Sequence, residues 1–258
     1  MKIVSIINQK GGVGKTTTCA NLGAGLALLG QRTLVIDLDP QANLTLGMGV
    51  LRDDLPYGLQ EVLLNPTAAP LTGIVTQVGD LPLYLAPGHL ELARAEPELL
   101  ARRGAAYHLQ EALKPIAAER GFDWILIDCP PSLGTLTQNA IVASTHLLVP
   151  TEPKMYAFAG MNTLNEMIVN LAKAYSFQVE LLGVLLTMYE RSTRLHRTIA
   201  TVIRERFGER LFETIIYKNV RISEAELEGK PILLFDPKAV GARNYLALAN
   251  EVVTRSSQ

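Results

Sequence analysis

The sequence predicts a single α/β domain over residues 1–258, with helices on both faces of a doubly wound, mostly parallel sheet. Three observations predict it. Short runs rich in Val, Ile and Leu alternate with longer amphipathic segments. These runs are apolar throughout, which is typical of strands that are buried on both faces. A glycine-rich loop joins the first run to the first predicted helix, at residues 8–18.

The apolar runs predict six strands, at Ile3–Ile7, Thr33–Ile36, Trp124–Ile127, Leu147–Val149, Leu182–Leu186 and Phe212–Ile216. The first helix should begin at the glycine loop and end near Gly30, because glycine tolerates the left-handed conformation that ends many helices. Further helices are predicted at 107–120, 158–175, 192–207 and 242–254. Residues 51–106 contain six prolines, and we interpret them as surface elaboration of the same domain.

Composition narrows the class of protein. No apolar run approaches the ~18 residues of a membrane span, and the N-terminal strand is too short for a secretory signal. The two cysteines, Cys19 and Cys129, have no metal-ligand spacing, so a reducing, cytoplasmic location is predicted. Residues 1–172 carry 11 Lys and Arg against 15 Asp and Glu, whereas residues 173–258 carry 13 against 10. The C-terminal third is therefore the basic end.

The loop at residues 8–18 reads NQKGGVGKTTT. A general phosphate-binding loop is G-x-x-x-x-G-K-[ST], and here Gln9 stands where its first glycine belongs. A dinucleotide-binding alternative uses Gly12 and Gly14, with Asp37 about twenty residues further on. Its third glycine would fall at Thr17, so this alternative is the weaker one.

Binding a nucleoside triphosphate and transferring its phosphate requires a lysine, a metal ion and aligned backbone amides, because the dense negative charge of the phosphates must be neutralised. Lys15 and Thr16 suit the first two roles, and Asp128, at a strand end, suits Mg²⁺ binding through water. Asp39 also follows a strand. Asp128 could instead cap a turn and Asp39 could order the turn at the next residue, while a direct role for Asp37 stays open.

Three motifs carry a family resemblance. Residues 10–17 match the deviant Walker A motif K-G-G-x-G-K-[ST]-[ST]. Residues 37–43 resemble the D-x-D-P-Q-x-N segment of ParA/Soj partition ATPases, and residues 127–133 resemble their Walker B segment. The similarity extends weakly through 186–189 and 219–225 and so covers most of the chain. The sequence resembles the ParA/Soj type within the MinD/ParA superfamily of P-loop ATPases.

The resemblance implies a slow ATPase that uses ATP and Mg²⁺ and forms a homodimer with ATP. Lys10 would reach the partner's phosphates, Lys15 would serve its own nucleotide, and Asp39 would position the attacking water; with Asp128 these are the implied catalytic residues. The implied nucleotide-binding residues are Lys10, Gly11, Gly12, Val13, Gly14, Lys15, Thr16, Thr17, Met188 and Asn219. The implied metal site is formed by Thr16, Asp39 and Asp128.

The basic C-terminal third predicts non-specific binding to double-stranded DNA. On the helix predicted at 192–207, we expect Leu195, Ile199, Val202 and Ile203 on one face and three arginines opposite. The alternative is an ordinary solvated helix face. The residues predicted to bind DNA are Arg191, Arg194, Arg197, Arg204, Lys218, Arg221 and Lys230.

The predicted function is therefore DNA partition on the nucleoid. ATP would drive dimerisation and DNA binding, and a ParB/Spo0J-type centromere-binding partner would stimulate hydrolysis and release. No separate N-terminal DNA-binding module is expected, because the loop begins almost at Met1. The chain departs from the family pattern at Tyr217 and Glu226, where proline is common, and near Ser192, where arginine is common.

Proteins with several other functions have the same loop motif. A MinD-like membrane-cycling ATPase should end in a basic amphipathic helix, whereas residues 245–255 carry one basic residue against one acid. A cluster-binding relative of nitrogenase iron protein does not suit the positions of the two cysteines. A ParA-like positioner of a protein cargo and a scaffold with no useful turnover remain alternatives.

Overall fold

The computed structural model describes residues 1–50, 55–118, 121–154 and 157–256. An eight-stranded sheet with the order β3-β4-β2-β5-β1-β6-β7-β8 runs through it. Every pair of neighbours is parallel except β3 and β4. The strands are β1 Lys2–Ile6, β2 Thr33–Asp37, β3 Thr76–Gln77, β4 Leu83–Ala86, β5 Trp124–Asp128, β6 His146–Thr151, β7 Glu180–Tyr189 and β8 Leu211–Tyr217.

The helices cover both faces of this sheet, so the predicted doubly wound α/β fold is confirmed. Alternate residues of the central strands point to opposite cores: Ile125 of β5 joins one hydrophobic cluster and Leu126 joins the other. The helices are α1 Lys15–Leu28, α2 Asn43–Gly47, α3 Leu59–Leu64, α4 Leu92–Leu100, α5 His108–Ala118, α6 Thr135–Ala143, α7 Ala157–Ala174, α8 Arg194–Phe207, α9 Val220–Leu227, α10 Ile232–Phe235 and α11 Val240–Arg255.

All six predicted strands are present, and the predicted helices correspond to α1, α5, α7, α8 and α11. Gly30, at φ 79°, follows α1 in the left-handed conformation that was predicted. Residues 119–120, at the end of the helix predicted over 107–120, lie outside the described residues, and so do 51–54. The interpretation of residues 51–106 as surface elaboration is wrong.

That segment supplies part of the core. It contributes β4, which pairs with β2 inside the sheet, and helices whose Leu59, Leu63 and Leu92 are fully buried. The prolines misled the interpretation because Pro82 and Pro87 flank β4 without interrupting it. Proline outside the hydrogen-bonded run of a strand removes no ladder bond.

The C-terminal helix α11 packs on the sheet. Its apolar face, which includes Tyr245, Leu248 and Val252, is buried in the same cluster as α1. Its last turn is tied to β8 by Glu251, which accepts hydrogen bonds from the amides of Glu213 and Thr214 at 2.8 and 2.9 Å. No helix of the described residues is long and apolar enough to cross a bilayer.

Strand register brings acidic residues to one edge of the sheet. In the parallel ladders, Asp37 at the end of β2 lies opposite Asp128 at the end of β5, and Asp128 lies opposite Ile6 of β1. The carboxyl ends of parallel strands meet at the same edge, and the loop after β1 begins there. The fold therefore assembles the predicted motifs at the carboxyl edge, where open α/β sheets bind their ligands.

Candidate nucleotide site

The loop between β1 and α1 is held by the neighbouring strands. Asn8 donates from Nδ2 to the carbonyl of Pro150 at 2.8 Å, and its Oδ1 accepts the amide of Lys10 at 2.9 Å. Thr187 of β7 donates its hydroxyl to the carbonyl of Val13 at 2.9 Å. A loop fixed from both sides in this way is organised before any ligand arrives.

Glycines shape the loop around the start of α1. Gly12 and Gly14 have φ of 70° and 80°, a left-handed conformation that L side chains rarely adopt. Gly14 is the N-cap of α1 and has no side chain with which to cap the first-turn amides. Those amides and the helix dipole favour an anion at this position. The loop is therefore suited to phosphate.

The two lysines of the loop face different surroundings. The Lys15 side chain is buried, and its Nζ donates to the carbonyl of Lys10 at 3.3 Å. Burial lowers the pKa of Lys15, although the charge of Asp128 opposes that shift. The Lys10 side chain is 41% exposed, and its Nζ lies 3.6 Å from Oε2 of Glu152. One lysine therefore points into the site and the other lies at the surface.

Asp128 is one of two fully buried acids of the site, with Asp37. It is fully buried, and neither of its carboxylate oxygens has a hydrogen-bond partner among the described residues. Burial and the nearby Asp37 raise the pKa of Asp128 well above its ordinary value, while Thr16 and Lys15 oppose the shift. A buried carboxylate without protein partners is costly unless a cation or proton satisfies it.

The other two acids have partners. Oδ2 of Asp37 accepts hydrogen bonds from the amide and hydroxyl of Thr45, at 2.8 and 2.6 Å, and so anchors α2. Burial raises the pKa of Asp37 to about 6, although the bonds from Thr45 oppose the shift. Asp39 faces the cleft and accepts the amide of Gln41 at 3.0 Å, so it also orders the turn, as the alternative interpretation held.

The residues present fit a magnesium ion that is shared with phosphate. Mg²⁺ usually keeps several waters and binds one or two carboxylates together with substrate phosphates. Asp128 offers two unpartnered oxygens, and the hydroxyl of Thr16 lies close enough to influence its pKa. Within the described residues, no three His, Cys, Asp or Glu side chains are grouped to hold a metal by themselves. This donor set suits an ion that arrives with its nucleotide.

A cleft of about 660 Å³ opens over the loop. Its volume lies within the range of small-molecule and cofactor sites. Several predicted nucleotide residues line it, whereas Val13 is buried beside it and Asn219 instead caps α9 by accepting the amide of Arg221. The predicted residues in its lining are Gly11, Gly12, Gly14, Lys15, Thr16, Thr17, Asp39 and Met188.

The structure adds a wall that the sequence reasoning did not assign. Ser223, Glu226 and Leu227, in or at the end of α9, line the same cleft, together with Lys230, which had been predicted to bind DNA. These residues lie about two hundred positions from the loop in sequence, and the weak similarity over 219–225 predicted no cleft-lining role for them. Only tertiary packing brings them to the site.

Comparisons with known proteins identify the family of the chain. Residues 1–181 match the profile of a family described as an AAA domain. The chain is 39% identical over 255 residues to the chromosome partitioning protein ParA of Caulobacter vibrioides, covering 99% of this chain and 95% of that protein. It is 40% identical over 251 residues to the sporulation initiation inhibitor protein Soj of Bacillus subtilis, covering 97% and 98%. The chain belongs to the ParA/Soj family.

Solved structures confirm the fold. Cobyrinic acid a,c-diamide synthase from Mycobacterium smegmatis, with bound ADP and magnesium, is 31% identical with a TM-score of 0.84, covering 100% of this chain and 96% of that one. The septum site-determining protein MinD from Pyrococcus horikoshii, complexed with Mg-ADP, is 28% identical with a TM-score of 0.78, covering 97% and 95%. This ParA/Soj protein is thus a P-loop ATPase.

The basic helix α8 differs from its prediction in one respect. Its buried face consists of His196, Ile199 and Ile203, whereas Leu195 and Val202, predicted to share the apolar face, are 51% and 44% exposed. The three buried residues are spaced three and four positions apart, so they form a narrow stripe along the helix. Leu195 and Val202 lie outside this stripe. The predicted arginines of α8 are exposed.

The predicted DNA-binding residues do not form one uniform patch. Arg194 and Arg197 project from α8. Arg191 lies 4.4 Å over the ring of Tyr217 and donates to its hydroxyl at 2.7 Å. Other members of the set pair with acids: Arg204 with Glu213 at 3.1 Å, Lys218 with Glu190 at 2.9 Å, and Arg221 with Glu224 and with Asp236 at 3.1 Å. DNA contact by these residues stays a prediction.

Proposed function

We propose that this ParA/Soj protein is a DNA partition ATPase that cycles between a free form and an ATP-bound homodimer. The observation that carries the proposal is that two lysines of one phosphate loop point in different directions. Lys15 is buried under the cleft, and Lys10 lies at the surface. A second cation that its own nucleotide does not need is available to the nucleotide of a facing copy.

Within one copy, the chain's own residues hold the phosphates. The left-handed turns at Gly12 and Gly14 expose backbone amides, and Lys15 adds positive charge from below. Thr16 and Asp128 would hold Mg²⁺, which supplies charge neutralisation when bound. Asp39 faces the cleft from the end of the β2 loop, where its free oxygen can orient a water molecule for attack.

Between two copies, nucleotide would control the association. Lys10 would leave its contact with Glu152 and reach the phosphates bound by the partner copy. Because the interface is two-fold, Lys10 of the partner copy would make the same contact in return. Because the γ-phosphate is part of that contact, hydrolysis weakens the dimer. A ligand that binds the dimer better than the monomer shifts the equilibrium by its differential affinity.

The dimer would then bind DNA through phosphates. Arg194 and Arg197 are exposed on α8, and doubling them in a dimer strengthens a contact that carries no base information. A ParB/Spo0J-type centromere-binding protein would stimulate hydrolysis and end the cycle, on the nucleoid in the cytoplasm. The relatives from Caulobacter and Treponema, a chromosome partitioning protein and a chromosome-partitioning ATPase, support DNA as the cargo.

A MinD-like membrane cycle is the rival function, and α11 argues against it. The apolar face of that helix packs against α1 and β8 with Tyr245, Leu248 and Val252 buried. A helix whose apolar face is already buried has no such face to insert into a bilayer. Positioning of a protein cargo would use the same chemistry with another partner.

Gel filtration with ATP and Mg²⁺, with and without random-sequence double-stranded DNA, tests the proposal. We expect a monomer without nucleotide, a dimer with ATP, and a DNA complex only with ATP. Sedimentation with anionic liposomes provides the contrast. ATP-dependent liposome binding without DNA binding would favour the membrane cycle, and a protein that stays monomeric with ATP would contradict the proposed switch.

A further inference from the structure

Helix α9 forms a wall of the nucleotide cleft. Ser223, Glu226 and Leu227 line the cleft opposite the loop, and Lys230 follows just beyond the helix. The helix is weakly held by the core, because Ile222 and Ala225 are its buried residues and Leu227 is 88% exposed. Contacts outside the hydrophobic core therefore contribute to the position of this wall.

One such contact reaches the phosphate loop. Thr17 donates its hydroxyl to Oε1 of Glu226 at 2.6 Å. Thr17 stands in the first turn of α1, two residues after Lys15, and its backbone carbonyl accepts Nδ2 of Asn21 at 2.8 Å. A hydrogen bond to an ionised carboxylate is stronger than one between neutral groups. The bond joins α9 to the turn that would hold phosphate.

The turn just after α9, three residues beyond Glu226, meets the segment that follows Asp39. Gly229 and Gly49, both with positive φ, approach so closely that a Cβ on Gly229 would lie 2.9 Å from the Cα of Gly49. Gly49 closes α2, and α2 begins four residues after Asp39. The C-terminal end of α9 is thus held by two contacts, the bond of Glu226 with Thr17 and the close approach of Gly229 to Gly49.

We propose that Glu226 is a positioning residue of the nucleotide site, which acts through Thr17 to hold α9 closed over bound nucleotide. This inference rests on the proposed nucleotide site. A carboxylate near phosphates also repels them, so the hydrogen bond and the charge of Glu226 have opposite effects on nucleotide affinity.

Three variants separate those effects. Glu226→Ala removes both the bond and the charge, Glu226→Gln removes the charge but keeps an acceptor oxygen, and Thr17→Val removes the donor. The neighbouring acid Glu228 is exposed, and Glu228→Ala is the matched control for lost charge. The full-length protein is titrated with Mg-ADP by calorimetry, and the melting temperature is measured without nucleotide.

We expect Glu226→Ala and Thr17→Val each to weaken Mg-ADP binding by about fivefold to tenfold, as expected for one hydrogen bond. The double variant Thr17→Val with Glu226→Ala should bind Mg-ADP no more weakly than the weaker-binding single variant, because the two substitutions remove the same contact. Glu226→Gln and Glu228→Ala should bind as wild type or slightly tighter. In steady-state hydrolysis by Glu226→Ala, KM should rise while kcat stays unchanged.

Three results would overturn the inference. Tighter binding by Glu226→Ala would mean that charge repulsion dominates, additive losses would mean that Thr17 and Glu226 act separately, and a lower melting temperature with unchanged affinity would make the contact structural. A wild-type protein that binds no Mg-ADP would overturn the proposed function as well, and so the two failures are distinguishable.

Discussion

Replacing Lys10 by alanine tests the proposed switch at its central residue. In the single chain, the side chain of Lys10 is 41% exposed and its recorded ion pair is the 3.6 Å contact with Glu152. Glu152 is only 13% exposed, but it keeps its 2.7 Å pair with Lys154 when Lys10 is replaced, so the variant should fold and melt nearly as wild type. Lys15, Thr16 and the loop amides remain, so it should also bind ATP.

Dimerisation should instead be lost. A hydrogen bond from a charged donor to a phosphate contributes about 1.5–3 kcal/mol, and the exposed contact with Glu152 must be given up to form it. A two-fold interface makes the contact twice. The net loss on Lys10→Ala is then about 3 kcal/mol, which raises the dimer dissociation constant by about two orders of magnitude.

The assay is sedimentation velocity with ATP and Mg²⁺ over a range of protein concentrations. Lys154→Ala is the matched control, because Lys154 pairs with the same Glu152 at 2.7 Å but lies outside the loop. Lys15→Ala is the opposite control and should bind no ATP. A Lys10→Ala protein that dimerises as wild type would refute the reasoning and leave Lys10 as an ordinary surface residue.

Three further predictions follow from the same structure. Asp39→Ala should bind ATP, dimerise and stay bound to DNA without turnover, because the group that orients water is gone; steady phosphate release from this variant would contradict that role. Arg194→Ala with Arg197→Ala should weaken binding to all DNA sequences in filter-binding titrations and reduce the salt slope by about one for each lost phosphate contact, whereas Arg204→Ala, paired with Glu213, should change little. Glu251→Gln should destabilise the protein by about 1 kcal/mol at pH 7 and by nothing well below pH 4.5 in denaturant titrations; an equal loss at both pH values would exclude the ionised form as the cause.

The sign of the last prediction follows from the surroundings of Glu251. Burial alone would raise the pKa of this carboxyl, but hydrogen bonds from Thr214 and Glu213 and the charge of Arg255 lower it. An acid whose pKa is lower in the folded state stabilises that state above its unfolded pKa. That contribution is lost as the pH falls through the folded pKa.

The sequence predicted the elements whose local pattern is strong. The central strands are uniformly apolar, and the loop at residues 8–18 has a motif that needs no tertiary information. Helix α6 was not predicted, because eight of its nine residues are buried and a helix buried on nearly all sides shows little periodicity. Strand β4 was hidden by the prolines on either side of it.

The residues of the candidate site also fall into those that the sequence predicts and those that it does not. Lys15, Thr16 and Asp128 could be predicted because each follows a strand in a recognisable motif. Glu226 and the partner of Lys10 could not, because each comes from a distant part of the chain through packing. Two residues of the apolar face predicted for α8 are exposed, because periodicity gives the direction of a face and not how much of it the sheet covers.

The acids at the carboxyl edge of the sheet explain why such a site should respond to nucleotide. Asp37 and Asp128 lie side by side in the ladder, and burial raises the pKa of both. Thr45 satisfies one oxygen of Asp37, but the oxygens of Asp128 have no partner among the described residues. An unpartnered buried carboxylate destabilises the free protein, and that cost disappears when a cation binds. Because the cation would arrive with phosphate, the cost of burying Asp128 would be relieved only when a nucleotide occupies the loop. In the proposed cycle, Asp128 would therefore weaken the nucleotide-free state relative to the nucleotide-bound state, and a switch between two states requires such a difference.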